Sequence, residues 1–107
     1  MIGVRDTYIE IQRRVSLKNE LNEEVGGWEV FEPAWASKRL KSAAESVAAG
    51  ALASKETYEL VTDYIPGLSS DMRIEIDGQH FAILGHDSPF RSKTVIQVER
   101  TSYERRN

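Results

Sequence analysis

The chain has 107 residues, 40% hydrophobic and 29% charged, which is the composition of an ordinary folded protein rather than a disordered one. Its 17 acidic and 14 basic residues give a net charge of −3, which argues against an open nucleic-acid-binding surface, because such surfaces carry a basic excess. The absence of cysteine excludes disulfides, thiolate nucleophiles and cysteine-based zinc sites, and no apolar run approaches the roughly 20 residues that span a bilayer. We expect a single domain over residues 1–107.

The first half of the chain begins with strand-like segments. Thr7–Val15 alternates isoleucine with polar residues and predicts a first strand. Residues 16–27 are polar and end in two glycines, which predicts a loop with a hinge. Trp28–Lys38 is rich in β-formers but contains Pro33, which cannot donate a hydrogen bond to a ladder. This segment is therefore expected to be an edge strand or to be bent at a bulge.

The next segment, Ser37–Glu56, is rich in alanine and lacks the alternation of a strand. Leu40, Val47 and Leu52 recur together with several alanines at helical spacing and form one narrow apolar stripe. Alanine is the best helix former, although the glycine near the end of the segment weakens it, so the pattern predicts a marginal helix. We expect Arg39–Lys55 to be an insert between strands, either as this helix or as a mobile loop.

The second half of the chain returns to strands. Thr57–Tyr64 predicts one strand, and Lys93–Thr101 predicts the last one, before a loose charged tail at 102–107. Residues 72–83 predict a hairpin about Asp77-Gly78, the two residues that tolerate positive φ in a type I′ turn. In that register Met72, Ile74 and Ile76 lie opposite Ile83, Phe81 and Gln79, and Glu75 meets His80 on the polar face.

About six short strands in so small a chain favour closure of the sheet. A small barrel removes most exposed strand edges, which otherwise promote aggregation. The sequence therefore predicts a mainly β protein, a small six-stranded β-barrel with one Ala-rich helix or mobile loop inserted between strands.

The residues that could perform chemistry are few and scattered. His86 lies beside Asp87, but no nucleophile elbow accompanies the pair, and neither His80 nor His86 has a second ligand placed for a metal. We expect no catalytic residues, no metal and no cofactor, and hence a protein that is not an enzyme. The aromatic residues admit two interpretations, core filling or an exposed platform on which nucleic acid bases stack. These residues are Trp28, Phe31, Trp35, Tyr58, Tyr64 and Phe81.

Four segments, taken in order, resemble one family. They are "YIEIQRR" at 8–14, "GGW" at 26–28, "AWAS" at 34–37 and "DMRIEIDGQHFAI" at 71–83, of which the last is the most specific. In this order and spacing the chain resembles the tailed-phage head–tail joining proteins, also called head-closure or stopper proteins. It departs from their pattern at Asp63-Tyr64, where the family often has an Arg-Tyr pair.

The resemblance implies a structural part of the virion. Such a protein forms a homo-oligomeric ring of six or twelve subunits, with the portal or an adaptor protein above it and the tail or a tail-completion protein below. It closes the DNA channel after packaging, lets double-stranded DNA pass without sequence-specific binding, and offers the surface on which the tail docks. The implied location is the head–tail interface of the virion, after a stay in the host cytoplasm, with no membrane partner and no cofactor.

Two groups of residues are candidates for contacts in such a ring. The first group is a gating or subunit-contact segment with Arg39, Leu40, Lys41, Glu45, Val47, Leu52 and Lys55. The second is the outer face of the hairpin, with Arg73, Glu75 and His80. The alternatives left open are an oligonucleotide-binding β-barrel module and another component of the neck, such as a tail-completion protein.

Overall fold

The computed structural model describes residues 4–48 and 51–105, and of 46–48, 51–52 and 102–105 the backbone only. Its strands are β1 (Thr7–Lys18), β2 (Glu24–Ala48), β3 (Ala51–Thr62), β4 (Arg73–Ile76), β5 (Gln79–Asp87) and β6 (Thr94–Arg105). They form a closed barrel in the order β1-β2-β3-β6-β5-β4, and every neighbouring pair is antiparallel. The prediction of a mainly β fold with a six-stranded barrel is confirmed. No helix able to span a membrane occurs in the described part of the chain.

Strand alternation places one apolar row from each strand inside the barrel. Ile9 and Ile11 of β1 are fully buried, whereas Tyr8, the residue before Ile9, is exposed on the opposite face, as a period of two requires. The other strands and the loop after β3 contribute the rest of the buried apolar core. These residues are Ala36, Leu60, Ile65, Ile74, Ile76, Phe81, Ile83, Ile96 and Val98.

The hairpin between β4 and β5 has the predicted register. Ile74 lies opposite Phe81 and Glu75 opposite His80. Asp77 and Gly78 have φ of 51° and 77°, the pair of positive values that a type I′ turn requires. The Asp-Gly turn therefore fixes which face of each strand enters the core.

Substituting the turn glycine tests this backbone requirement. A Cβ at position 78 would meet no atom within 4 Å, so the cost of Gly78→Ala comes from its positive φ alone. We expect Gly78→Ala to lower the free energy of unfolding by about 1 kcal/mol in a urea titration. The matched control is Gly26→Ala, where a Cβ is equally unobstructed and φ is not positive. That change should raise the free energy by roughly 0.5 kcal/mol, and equal effects at both sites would contradict the argument.

The predicted helix or mobile loop over Arg39–Lys55 is wrong. Its described residues extend β2 and β3, which pair from Ala36 opposite Thr62 to Ala48 opposite Ala51. The paired strands continue out of the barrel with one bulge at Lys41, so the ladder between them is extended, whereas a helix would have buried only a narrow alanine stripe. Tertiary pairing here overrides the helix propensity of alanine.

Three other expectations change along the strands. The loop expected over 16–27 is a tight turn, because β1 runs to Lys18 and pairs with β2 from Glu24. The bulge lies at Phe31 rather than at Pro33. Pro33 is in the first half of β2, which pairs with β1 alone in the described ladders, so the expectation of an edge position holds for this half. Residues 102–105, expected in a loose tail, form the end of β6 opposite β3, and 106–107 lie outside the described residues.

Two arms project from the barrel. Beyond Gln12, β1 pairs only with β2, so 13–18 and 24–30 form the first arm. Residues 39–48 of β2, 51–59 of β3 and 100–105 of β6 form the second arm, since the pairing of β6 with β5 ends at Glu99. The radius of gyration is 16.1 Å, against about 13 Å for a compact chain of this length. The arms account for this extended shape.

Candidate assembly surfaces

The second arm is a three-stranded sheet without a core. None of the buried core residues belongs to its described part, and the described side chains from Lys41 to Glu45 are all exposed. In the described ladders β3 is the central strand, so β2 and β6 each leave one edge unpaired. A small sheet with no buried face is marginally stable alone, and free edges are ready to pair with another chain.

The seven candidate contact residues of the segment all lie on this arm. Arg39 and Leu40 are at its base, opposite Glu59 and Tyr58, and Leu40 is 54% exposed. Two of the lysines form ion pairs, with Nζ to Oε2 distances of 3.8 Å for Lys41–Glu59 and 3.1 Å for Lys55–Glu99. Farther out, Glu45 lies opposite Ser54 and Val47 lies opposite Leu52. For Val47 and Leu52 the structure describes the backbone only.

Tyr58 connects this arm to the barrel. Its ring meets the buried Phe81 edge to face, with 5.8 Å between ring centres, and the Lys38 ammonium lies 4.4 Å from the Tyr58 ring centre. The Tyr58 hydroxyl donates a hydrogen bond of 2.5 Å to the Glu56 carboxylate on the arm. That hydrogen bond, then burial and the Glu56 charge raise the pKa of Tyr58, while Arg100 opposes the shift.

Removing the Glu56 charge should lower the pKa of Tyr58. Because the folded pKa is raised, this group stabilises the fold fully below the ordinary tyrosine pKa of about 10, and the stabilisation is lost as pH rises beyond it. Glu56→Gln should move the ultraviolet titration of Tyr58 to lower pH, with Tyr58→Phe identifying its absorbance. Above pH 10 the free energy of unfolding should also fall more steeply for the wild type than for Tyr58→Phe. An unmoved titration in Glu56→Gln would refute the assignment.

The outer face of the hairpin is partly occupied by the chain itself. Arg73 is half-buried, with its guanidinium 4.2 Å from the Trp28 ring centre and its Nε donating to Gln12 Oε1 at 2.7 Å. His80 Nε2 lies 3.0 Å from Glu75 Oε1 across the strands. The three candidate residues thus share one surface. Arg73 contacts Trp28 of the first arm, whereas Glu75 and His80 contact each other. Their role in neighbour contacts stays a prediction.

The two histidines are kept apart. His80 and His86 are both on β5, opposite Glu75 and Ile96, about 20 Å apart along the strand. Within residues 4–48 and 51–105, no group of three or more His, Cys, Asp or Glu side chains gathers as a metal site would require. The structure therefore places the two histidines at separate points of one strand rather than in a common site.

The aromatic residues are divided between the core and several surfaces. Phe81 is buried, but Trp35 is 58% exposed and meets Tyr8 edge to face on the outside of the barrel. Trp28 lies against Arg14 and Arg73, with 5.3 Å and 4.2 Å between guanidinium carbon and ring centre. Core filling therefore describes Phe81 but not all six aromatic residues. Trp28 and Trp35 lie on different parts of the surface, so the six do not form one stacking platform.

The structure also exposes a residue that the sequence analysis did not select. Phe90 is wholly exposed in the turn between β5 and β6. The segment "DSPFR" signals a turn, but no pattern in it indicates that the phenylalanine points outwards. Only the backbone conformation reveals its position.

Comparison with known proteins decides the family. The model of a family described as phage head completion protein matches residues 2–100. The chain belongs to the phage head completion protein family. The resemblance drawn from the sequence is thereby confirmed, and the function in outline is a structural role in the virion at the junction of head and tail. Membership in a structural family also supports the expectation of a non-enzymatic protein.

Solved structures share the fold of this head completion protein. A chain in the virion of a native gene transfer agent particle has a TM-score of 0.73 and 11% identity, over 94% of this chain and 97% of that one. Protein SF1141 from Shigella flexneri 2a has a TM-score of 0.63 and 22% identity, over 91% and 93%. No curated protein matches the sequence. The barrel with its arms is therefore a fold found in other proteins, at identities low enough that they inform on the fold alone.

Proposed function

We propose that this head completion protein acts as a single domain that assembles into a ring of six or twelve subunits below the portal or its adaptor. The ring closes the DNA channel after packaging and presents the surface on which the tail, or a tail-completion protein, docks. The protein reaches this place from the host cytoplasm, without a membrane partner. Family membership supports the virion context of this proposal.

The second arm is the observation that carries the proposal. It projects from a closed and well-packed barrel, yet it buries no core of its own in the described part and leaves two strand edges open. A closed ring needs contacts between different faces of neighbouring subunits, which such an arm can supply while the barrel stays folded. Its two unpaired edges and exposed side chains favour a role in subunit contact and channel gating over a role as a free monomer.

The charge balance is consistent with a channel component. The net charge of −3 provides no overall basic excess to hold phosphates, and on the second arm Lys41 and Lys55 are paired with carboxylates. Tight binding of DNA would need unpaired cations, because phosphate neutralisation supplies most of that affinity. We infer that double-stranded DNA slides past this protein without sequence-specific contact.

Electron microscopy of particles from a phage lacking this gene tests the proposal. We expect empty or leaking heads beside detached tails, and recovery of joined, filled particles when the gene is supplied in trans. Intact virions with filled heads and attached tails would overturn the proposal. In that event the oligonucleotide-binding alternative would be tested next, by measuring how steeply single-strand affinity falls with salt.

A further inference from the structure

The turn between β5 and β6 holds an exposed phenyl ring in an uncommon backbone conformation. Phe90 has φ 55° and ψ 18°, Arg91 also has φ 55°, and the Phe90 side chain is 100% exposed. The turn is fixed by hydrogen bonds, because the backbone N–H of Arg91 donates to Ser88 and both the N–H and the hydroxyl of Ser92 donate to the Pro89 carbonyl at 3.1 and 3.0 Å. The ring is thus held outwards by a defined structure.

Positive φ at two consecutive bulky residues is costly. Such strain persists only where the surroundings impose it, and it concentrates at functional positions. Phenylalanine also loses free energy by standing in water, while aromatic and arginine side chains dominate the energetics of protein interfaces. The Phe90-Arg91 pair therefore has the properties of an anchor for another protein surface.

A groove of complementary character lies on the outer face of the hairpin. It measures about 360 Å³, and its lining combines the apolar residues Trp28, Met72, Phe81 and Ala82 with the polar residues Ser70, Asp71, Arg73 and His80. The Asp71 carboxylate accepts a hydrogen bond from Ser69, and none of the ion pairs among the described residues involves it. The groove thus offers an apolar floor for a phenyl ring beside a carboxylate suited to a guanidinium.

The anchor and the groove lie at different places on the surface of the chain. From Ala82 to Asp87 the strand β5 runs about 17 Å, and Phe90 lies in the turn beyond its end. Two different patches that fit each other across copies make a heterologous contact, which closes into a ring when the rotation between copies allows it. A heterologous contact of this kind is the type that the proposed ring requires.

We propose that Phe90 of one copy inserts into the groove of Trp28, Met72 and Ala82 on the next copy, with Arg91 facing Asp71. This contact rests on the ring of the proposed function and gives it a specific subunit interface. The occupant of the groove is a second copy of this chain, because one chain carries both complementary parts. Phe90 and Arg91 are on the turn, and the oppositely charged Asp71 is at the groove.

Cross-linking in assembled particles tests the contact, because the chain has no cysteine. Ser70→Cys lies at the groove and Asp87→Cys lies three residues before Phe90, both at exposed positions whose side chains take no part in the hydrogen bonds of the turn. A short bis-maleimide should convert the double variant in purified virions into a ladder of covalent multimers. Each single variant should yield dimers at most.

Two further variants complete the design. Phe90→Asn, added to the double cysteine variant, should abolish the ladder without lowering the melting temperature, since asparagine tolerates positive φ. Leu84→Ser, which removes a half-exposed apolar side chain on the same strand β5, should leave the ladder intact. A ladder that survives Phe90→Asn, or no ladder in virions that contain the protein at the head–tail junction, would overturn this contact and leave the ring untouched. Absence of the protein from that junction would instead overturn the proposed function.

Discussion

A phage whose head completion protein lacks the outer part of the second arm should produce heads and tails that do not join. The variant replaces residues 43–56 with Asn-Gly, which connects Ser42 and Thr57 where they lie directly opposite each other in the ladder. None of the buried core residues lies in the described part of 43–56, so the barrel should still show the circular dichroism spectrum of a β protein and remain monodisperse. Plaque titre should fall to the level of the gene deletion.

The control for the shortened arm keeps its full length. Ala49→Asn places an Asn-Gly sequence between β2 and β3 and removes nothing, so it should support normal titre. If the shortened variant formed plaques as the wild type does, the second arm would have no part in subunit contact or gating. If it failed to fold, the arm would be needed for the stability of the barrel, and our description of it as a separate surface would be wrong.

Ile74→Ala should be among the most destabilising single truncations of the barrel. Ile74 is fully buried in the four-residue strand β4 and lies opposite Ile11 on β1 and Phe81 on β5, so it helps to close the sheet. Removing its side chain leaves a cavity and should cost about 2–5 kcal/mol, a large part of the roughly 5–15 kcal/mol of a typical domain. Urea unfolding should shift to a lower midpoint with an unchanged slope.

Leu84→Ala is the matched truncation on the neighbouring strand. Leu84 is 49% exposed on β5, so its loss should change the free energy of unfolding by less than about 0.5 kcal/mol. Similar costs for Ile74→Ala and Leu84→Ala would show that β4 does not close the core as described. A change in slope would indicate that the denatured state, rather than packing, carries the effect.

The barrel was predictable because its strands show their pattern locally. Alternation around Ile9 and Ile74 identifies buried faces from a few residues, and Asp77-Gly78 fixes a register without any long-range information. The family resemblance added the order of these segments. The alternation and the turn depend on neighbours in the sequence and are confirmed by the structure, and the family model confirms the resemblance.

The arms and surfaces depended on pairings that are remote in sequence. Alanine spacing over Arg39–Lys55 is compatible with a helix, and only the continuing partner strands favour a sheet. The contact of Arg73 with Trp28 joins two distant strands through the first arm, and nothing near either residue signals it. Phe90 was missed because the positive φ that holds it outwards has no counterpart in composition or periodicity.

The continuity of β2 has a mechanical consequence. Its 25 residues pair with β1 over the first half and with β3 over the second, and both partners meet at the buried Ala36, which lies opposite Thr7 and Thr62. One continuous strand, with bulges at Phe31 and Lys41, therefore runs from the first arm through the barrel wall into the second arm. A load on the second arm, directed along β2, stretches many ladder bonds together instead of peeling them one by one. The barrel and the first arm thus receive that load through a single piece of covalent backbone.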